Sequence, residues 1–287
     1  MKIILTTLIL LTLYSVGIRY IPQQKMEPQN MWQENMIKMQ DFIYEKNYPK
    51  NVILGSSLSM CISPLNNQYY NLAAGGGNPF TGLEILKRSD KNVNRIFIET
   101  NYLLTKTLED DKYLGSLFMP LLYNLRKRFV ILREKEQPAS LAGHYLRSKL
   151  IDKIYAERGT EIDNSTLQKR VAIFKKSYRD SITVKNIVKK NLDILLEYLK
   201  YFKHEGTELV FYEMPIDCAL TNDPLPIYCR NQMNSFCQQN NLKQLPLEPC
   251  SKYQTSDGNH LMGESAERYK AFFYEEAAKF SGAATNK

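Results

Sequence analysis

Residues 51–60, NVILGSSLSM, pass directly from an apolar, strand-like run into a glycine and a cluster of serines. A buried strand that ends on Gly55 and turns sharply into a helix would present Ser57 at its carboxyl end. The Ser57 N–H would then lie near a helix N-terminus, where a reactive serine and part of an oxyanion hole belong. Because Gly-Ser-Ser turns more often cap helices than react, a catalytic role for Ser57 requires a base elsewhere in the chain.

Four short apolar runs predict an α/β fold. They are VILG (52–55), YYNLA (69–73), RIFIET (95–100) and LVFYEMP (209–215), and an amphipathic helix that stops at Gly206 precedes the last. In that helix the apolar residues recur every three to five positions: Ile187, Leu192, Leu195, Leu199 and Phe202. The pattern predicts a three-layer sandwich with a central, mostly parallel sheet. Ligands of such sheets bind beyond the carboxyl ends of the strands, which is where Ser57 would lie.

The 287 residues suffice for one substantial α/β core with an insertion. We expect a targeting segment in 1–20, a stalk or packing helix around Trp32 in 21–50, the α/β domain in 51–280 and a flexible tail in 281–287. Within the domain, the basic, Leu- and Tyr-rich stretch of about 102–181 predicts a helical insertion after the third strand. Such an insertion could shape a substrate site, dock a partner or be additional scaffold.

The N-terminus resembles a targeting signal. Lys2 is followed by an uncharged apolar run, Ile3–Ile18, that ends at Arg19. Ser15-Val16-Gly17 would suit cleavage of a signal peptide. As an uncleaved anchor, which we slightly favour, the run is a little shorter than the roughly 20 residues of a membrane helix. Both alternatives predict an extracytoplasmic chain, periplasmic or at the cell surface, and the anchor would also attach it to the membrane.

Charge does not favour a nucleic-acid partner. The net charge of +8 is spread along the sequence, and an anionic membrane surface or glycan explains it equally well. No spacing typical of a metal site is present, and we expect neither metal nor cofactor. Of the five cysteines, four lie late in the chain and could form one or two disulfides, while Cys61 stands apart and is expected to be a small buried apolar residue. The late cysteines are Cys218, Cys229, Cys237 and Cys250.

The search for a base is short because the chain has three histidines. His204, at the end of the amphipathic helix, and His144, in the insertion, have contexts that favour structural roles. His260 differs, since Asp257 precedes it by three residues in SDGNHLMGESAERY. At that spacing in a turn, the carboxylate can hold one ring nitrogen while the other faces a serine. Ser57, His260 and Asp257 therefore form a candidate catalytic set.

Four short blocks in order resemble the consensus of the SGNH (GDSL-like) hydrolase superfamily: GSSLS (55–59), NLAAGG (71–76), ETN (99–101) and DGNH (257–260). The resemblance implies an SGNH or flavodoxin-like fold. It also implies that Ser57 is the nucleophile and that His260 and Asp257 complete the triad. The oxyanion hole would consist of the Ser57 and Gly76 N–H groups and the Asn101 side chain.

The blocks depart from that pattern at two positions. Ser56 replaces the usual acidic residue before the nucleophile, and Glu99 replaces the usual glycine two positions before the block III asparagine. A carboxylate near the oxyanion hole would oppose the developing negative charge unless it points away. The choice of Gly76 over Gly75 or Gly77 rests on counting from Asn71.

The resemblance implies an acyl-enzyme on Ser57 that transfers an acyl group, with acetyl expected. Resolution by water gives an esterase, and resolution by a sugar hydroxyl gives an O-acyltransferase. The implied partners are an acyl donor, which could be a membrane-embedded protein, and an exported glycan acceptor. The alternative is a catalytically silent SGNH-like binding or assembly protein at the membrane surface, which Glu99 favours. The acyl group and the glycan are left open.

Overall fold

The computed structural model describes residues 2–17, 30–105, 111–137, 140, 164–177 and 181–280. The chain divides into two compact units, one of residues 1–46 with 112–159 and one of residues 47–111 with 160–287. Residues 112–159 of the predicted insertion thus belong to the first unit and residues 160–181 to the second. His144 and the predicted tail, 281–287, lie outside the described residues.

The first unit is helical in its described part. Asn30 caps its second helix by accepting a hydrogen bond from the Gln33 N–H at 2.9 Å. That helix buries Met36, Met39 and Phe42, in accordance with the helical spacing expected around Trp32. The α-helices of this unit are α1 (Lys2–Gly17), α2 (Met31–Tyr44), α4 (Lys112–Leu117) and α5 (Pro120–Arg128), and 3₁₀ turns follow at Val130–Leu132 and Glu134–Glu136.

Helix α1 contains most of the predicted targeting segment. Its Tyr14 hydroxyl donates to the Glu136 carbonyl at 2.7 Å, so the helix contacts the rest of its unit. Leu5, Leu10 and Leu13 remain largely exposed. In the described part of the chain, none of the helices combines the length and the apolar character required to cross a membrane.

The second unit is built on a parallel sheet, as predicted. Its strands are β1 (Asn51–Leu54), β2 (Tyr69–Asn71), β3 (Arg95–Glu99), β4 (Glu208–Tyr212) and β5 (Lys243–Gln244). All described pairings are parallel and the order is β2-β1-β3-β4-β5. This order is that of flavodoxin-like doubly wound sheets, in which the topological switch point lies between the adjacent first and third strands. The fold class is therefore α/β with helices flanking a parallel sheet.

The sheet buries both of its faces. Ile53, Phe97 and Val210 point into one apolar cluster, where Phe97 meets the Phe273 ring with centroids 5.2 Å apart. The next residue of β1, Leu54, points to the other face and packs against Gly82 of helix α3 (Pro79–Arg88), where an added Cβ would lie 2.5 Å from the Leu54 side chain. Since strand side chains alternate between faces, these contacts place a helical layer on each side of the sheet.

The helices of this unit begin and end at recognisable signals. Asn78 caps α3 ahead of Pro79, and Asp223 caps a later helix ahead of Pro224. The predicted amphipathic helix ends before Gly206, which has φ +73°. The α-helices are α3 (Pro79–Arg88), α6 (Asn164–Ser177), α7 (Ser181–His204), α8 (Cys218–Thr221), α9 (Pro224–Gln239) and α10 (Gly263–Lys279).

The structure pairs two of the cysteines. Cys218 and Cys250 form a disulfide across a sequence separation of 32. Cys229 and Cys237 are free and buried in α9, while Cys61 is free and only partly buried. The sequence left open one or two disulfides among the four late cysteines, and the described residues contain one.

Candidate active site

The serine turn, defined here as Gly55–Cys61, begins where β1 ends. Ser57 opens a 3₁₀ helix, Ser57–Cys61, and Ser56 caps it by accepting from the Leu58 N–H at 3.3 Å. Ser57 is partly exposed, whereas Ser56 and Ser59 are buried. A buried strand thus ends in a helical turn that leaves Ser57 at the surface of the carboxyl edge.

The loop that carries His260 also lies at this edge. Asp257 Oδ1 accepts hydrogen bonds from the N–H groups of Asn259 and His260, both at 2.9 Å, which curls the loop back on itself. Gly258 has φ +96°, and a Cβ there would lie 2.9 Å from Val171 of α6. Only glycine meets both requirements, a left-handed backbone and this close approach.

The loop is also held from neighbouring strands. The Tyr102 hydroxyl, just after β3, donates to Asn259 Oδ1 at 2.9 Å. The Asp217 N–H, after β4, donates to the Gly258 carbonyl at 2.8 Å. These two bonds hold Gly258 and Asn259, the residues that directly precede His260.

The structure brings Ser57, His260 and Asp257 together. His260 Nδ1 lies 2.8 Å from Asp257 Oδ2, and His260 Nε2 lies 2.8 Å from Ser57 Oγ. The geometry suits a ring that donates to the carboxylate through Nδ1–H and accepts the serine proton at Nε2. Proton abstraction from the hydroxyl by the ring is therefore geometrically available.

The environment adjusts both titrating groups in the direction that such a role needs. The hydrogen bond that the ring donates to Asp257 raises the pKa of His260; partial burial opposes this, and the charges of Asp257 and Glu99 add to it. Burial alone would raise the pKa of Asp257. Its hydrogen bonds from the His260 ring and from two backbone N–H groups outweigh burial and hold that pKa well below its usual range. Asp257 therefore stays ionised and stabilises a protonated His260.

Gly76 lies in the loop that follows β2. Two hydrogen bonds continue the β1–β2 ladder beyond the strands: the Leu72 N–H donates to the Ile53 carbonyl and the Ala74 N–H to the Gly55 carbonyl, at 2.8 and 3.1 Å. The Gly77 N–H then donates to the Ala74 carbonyl at 2.9 Å, which turns the chain at Gly76, and the part of the Gly76 N–H in an oxyanion hole stays a prediction. Gly76 is exposed with φ +69°, whereas Gly75 and Gly77 are buried.

Asn101 is held by the backbone of the neighbouring strand. Its Nδ2 donates to the Met214 carbonyl at 2.9 Å, and its Oδ1 accepts from the Met214 N–H at 2.8 Å. One amide hydrogen is thus engaged with Met214, which leaves the second for any contact with a substrate. The part of Asn101 in an oxyanion hole stays a prediction.

Glu99 is fully buried beneath the serine turn. Its carboxylate accepts from the backbone N–H of Ser56 and from the hydroxyls of Ser56 and Ser59, at 2.8, 2.7 and 2.5 Å. The sequence indicated no such contacts, and it left open that this carboxylate faces an oxyanion. The carboxylate instead holds the serine turn through its hydrogen bonds with Ser56 and Ser59.

Asn71 is a second supporting residue that the sequence did not single out as such. Its Nδ2 donates to the carbonyls of Ser59 and Ile62 at 2.7 and 2.8 Å. Its Oδ1 accepts from the Ala73 N–H at 2.8 Å. Asn71 thus connects the end of the serine turn to the loop that carries Gly76.

A cavity of about 210 Å³ opens further along the same edge. It extends over the ends of β3, β4 and β5, and Arg230 spans its wall in a two-bond ion pair with Glu213. Its lining combines these charges with Thr100, Met233, Gln244 and Leu247. Neither Ser57 nor His260 is among the residues that line this cavity.

The remaining predicted residues have simpler surroundings. His204 is exposed at the end of α7, in line with a structural role. Among the described residues, no group of three or more His, Cys, Asp or Glu converges as a metal site would require.

Comparison with known proteins gives a likeness to solved structures but not to sequences. The sequence matches no protein-family model and no curated protein. Among solved structures, the chain is similar to a provisionally named acylhydrolase from Bacteroides fragilis, with a TM-score of 0.43 and 9% identity over 88% of this chain and 99% of the other. At that identity, the roles of residues have to come from the contacts within this chain itself.

Proposed function

We propose that this chain is an SGNH-type serine enzyme that transfers acyl groups, with acetyl expected, between an ester donor and an extracytoplasmic glycan. The observation that carries the proposal is the hydrogen-bonded series from Ser57 Oγ through the His260 ring to Asp257, with 2.8 Å at each step. The four blocks of the sequence that resemble the superfamily all contribute to this edge of the sheet. Serine, base and orienting acid in this arrangement are the requirements for nucleophilic acyl transfer.

The proposed reaction has two steps. His260 Nε2 takes the Ser57 proton as Oγ attacks the ester carbonyl carbon, and the tetrahedral oxyanion is stabilised by the N–H groups of Ser57 and Gly76 and by the Asn101 side chain. The bond to the departing alkoxide breaks as His260 protonates it, leaving an acyl-Ser57. A hydroxyl then attacks the acyl carbon as His260 takes its proton, the bond from that carbon to Ser57 Oγ breaks, and His260 returns the proton to Oγ. Water as the attacking hydroxyl yields a free acid, and a sugar hydroxyl yields an acylated glycan.

Two observations favour a transferase acting on a large acceptor. The His260 side chain is 42% exposed, and Ser57 is also partly exposed, so a bulky hydroxyl acceptor can approach both. The Cys218–Cys250 disulfide suits an oxidising, extracytoplasmic compartment, in which exported glycans are found. Attachment to the membrane through the N-terminal segment, and an acyl donor protein in that membrane, complete the proposal.

The silent-scaffold alternative loses its main support. It rested on Glu99 as a carboxylate that would repel an oxyanion. The Glu99 oxygens are directed to Ser56 and Ser59.

The first test concerns the covalent step. The full-length chain in mild detergent is treated with a fluorophosphonate probe and with an activated acetyl ester, alongside Ser57→Ala and Ser63→Ala. Ser63 is an exposed serine two residues after the turn, and its carbonyl accepts a hydrogen bond from the Tyr274 hydroxyl. We expect Ser57→Ala to lose labelling and about a thousandfold or more of turnover, as for removal of a triad member, while Ser63→Ala matches the wild type.

The second measurement separates transferase from esterase. Free acetate and acetylated sugar are quantified with and without candidate exported oligosaccharides. We expect slow hydrolysis alone, and transfer at the expense of acetate with the right acceptor. Fast hydrolysis that no acceptor diverts would favour an esterase. A folded wild type that forms no adduct on Ser57 with any donor or probe would overturn the catalytic proposal.

A further inference from the structure

The two positions at which the chain departs from the superfamily pattern are in direct contact. Glu99 Oε1 accepts from the Ser56 hydroxyl at 2.7 Å, and Oε2 accepts from the Ser56 N–H at 2.8 Å. Where the pattern has an acid before the nucleophile and a glycine at the end of the third strand, this chain has a serine and a glutamate. A carboxylate is thus retained at the turn, but β3 supplies it.

The donors around Glu99 match an ionised carboxylate. Ser59 Oγ accepts from the Tyr212 hydroxyl at 2.7 Å, and Ser56 Oγ accepts from the Leu58 N–H at 3.3 Å, so both serine protons are directed to Glu99. Burial, and then the charge of Glu99, raises the pKa of Tyr212 well above its ordinary value, which keeps the phenol a donor. Each of the two serine hydroxyls thus has its own proton free to donate to a carboxylate at Glu99.

The carboxylate fits because residue 55 is glycine. A Cβ at Gly55 would lie 2.6 Å from Glu99 Oε2 and 2.5 Å from Ser59 Cβ and Oγ. The carboxylate therefore packs directly against the backbone of Gly55, two residues before Ser57. Its three accepted hydrogen bonds restrain the backbone on both sides of the nucleophile.

We propose, on the basis of the catalytic function proposed above, that Glu99 is a positioning residue: its buried carboxylate fixes the serine turn so that Ser57 Oγ stays at His260 Nε2, and its charge favours the protonated ring during attack. The same charge opposes the oxyanion, but hydrogen bonds from Ser56 and Ser59 neutralise part of it. A neutral residue of the same shape would hold the turn less well and would not favour the imidazolium.

The charges that act on His260 come from two elements. Asp257 lies in its own loop and Glu99 at the end of β3, and both raise the pKa of the ring. On α10, which packs against the serine turn, Glu267 and Lys270 act on Cys61 with opposite signs. Replacing Glu99 by glutamine, which has the same shape and no charge, therefore removes one of the two charges that act on His260 and leaves Asp257 in place.

The test is an NMR titration of His260 in the full-length chain, in wild type, Glu99→Gln and Glu84→Gln. The last is a matched control, a partly buried carboxylate on α3 that accepts from a tyrosine and pairs with Arg88. The chain has three histidines, so His260→Ala assigns the resonance. We expect the His260 pKa to fall by about half a unit or more in Glu99→Gln and to stay unchanged in Glu84→Gln. An unchanged His260 pKa in folded Glu99→Gln would overturn the electrostatic part of the proposal.

A reciprocal exchange tests the positioning part. Ser56→Asp sets a second carboxylate against Glu99, and Glu99→Gly leaves the donors of the turn without their acceptor, so each single change should slow fluorophosphonate labelling at least about tenfold. The double variant restores the pattern of the superfamily and should label faster than either single variant. A double variant no faster than the slower single variant would contradict a compensated pair. If Glu99→Gly does not fold, labelling of Glu99→Gln decides, and a wild-type rate there refutes positioning.

Failure of the proposed function can be told apart from failure of this inference. A wild type that neither labels nor turns over refutes catalysis, whereas the His260 titration still reports the charge of Glu99. An active wild type with an unmoved His260 in Glu99→Gln refutes the role of Glu99 alone.

Discussion

His260 is the residue on which the proposed chemistry turns, and its pKa sets the pH dependence. As a base the ring must be neutral, and the Asp257 hydrogen bond raises its pKa above the ordinary value of 6.5. Labelling of Ser57 should therefore rise with pH through a midpoint above about 6.5 and level off at higher pH.

Asp257→Asn should lower that midpoint, because the hydrogen bond and the negative charge are both lost. The rate should also fall, by up to about ten-thousandfold, since the ring loses the partner that fixes its tautomer. Labelling rates measured between pH 5 and pH 9, roughly the range over which histidine titrates, give both quantities. Asp223→Asn, a helix cap that asparagine can replace, is the control. An unchanged midpoint in Asp257→Asn would remove Asp257 from the proposed triad.

Among the residues of the candidate site, the sequence predicted contacts between residues close in the chain and missed contacts between distant ones. Asp257 and His260 share one turn, so their spacing alone predicted that they could face the same way. The partners of Glu99 and Asn101 come from other elements, Ser56 from the end of β1 and Met214 from the segment after β4. The register of β3 against β1 and β4 brings these residues into contact, and a local sequence pattern does not predict that register.

At the scale of elements, the strands with strong apolar runs were predicted to within three residues. β1, β3 and β4 are buried almost throughout, and a buried parallel strand produces a continuous apolar run. The sequence did not predict β5, because Lys243 and Gln244 are both exposed at the sheet edge and have no apolar pattern. Only its pairing with β4 in the folded structure identifies β5 as a strand.

The junction between β1 and its turn yields a prediction about stability. Gly55→Ala would set a methyl group within 2.6 Å of Ser59 and Glu99, both of which are buried and hydrogen-bonded. We expect a loss of about 1–3 kcal/mol in the free energy of unfolding, typical of overpacking, together with slower labelling of Ser57. Gly263→Ala, at the open start of α10 with no atom within 4 Å, should change neither by much. Chemical denaturation with tryptophan-independent detection, such as circular dichroism, measures the difference, and equal stabilities would contradict the close packing at Gly55.

At the scale of the molecule, the helical stretch after β3 was predicted as one insertion into one domain. In the structure, residues 112–159 associate with residues 1–46, and the sheet unit resumes at residue 160. Contacts such as that of Gln40 with the Glu134 N–H, at 2.7 Å, join segments 94 positions apart. Amphipathic spacing shows that a helix has an apolar face, and it does not show which distant segment covers that face.

The disulfide provides the last prediction, because it connects the segment after β4 to the chain that leads into the His260 loop. Cys218 follows Asp217, whose N–H holds the Gly258 carbonyl, and Cys250 lies in a 3₁₀ turn shortly before Asp257. Closing a loop of this length stabilises the folded chain by about 3–4 kcal/mol in the chain-entropy model. Reductant should therefore lower the midpoint of thermal unfolding of the wild type and slow the labelling of Ser57.

The double variant Cys218→Ala/Cys250→Ala should show the lower midpoint without reductant and should not respond to it further. Cys229→Ala removes a free, buried cysteine and should leave the response to reductant intact. A wild type whose unfolding midpoint and labelling rate are both unaffected by reductant, after reduction has been verified by mass spectrometry, would show that the hydrogen bonds of Asp217, Tyr102 and Asp257 hold the His260 loop without the covalent bridge.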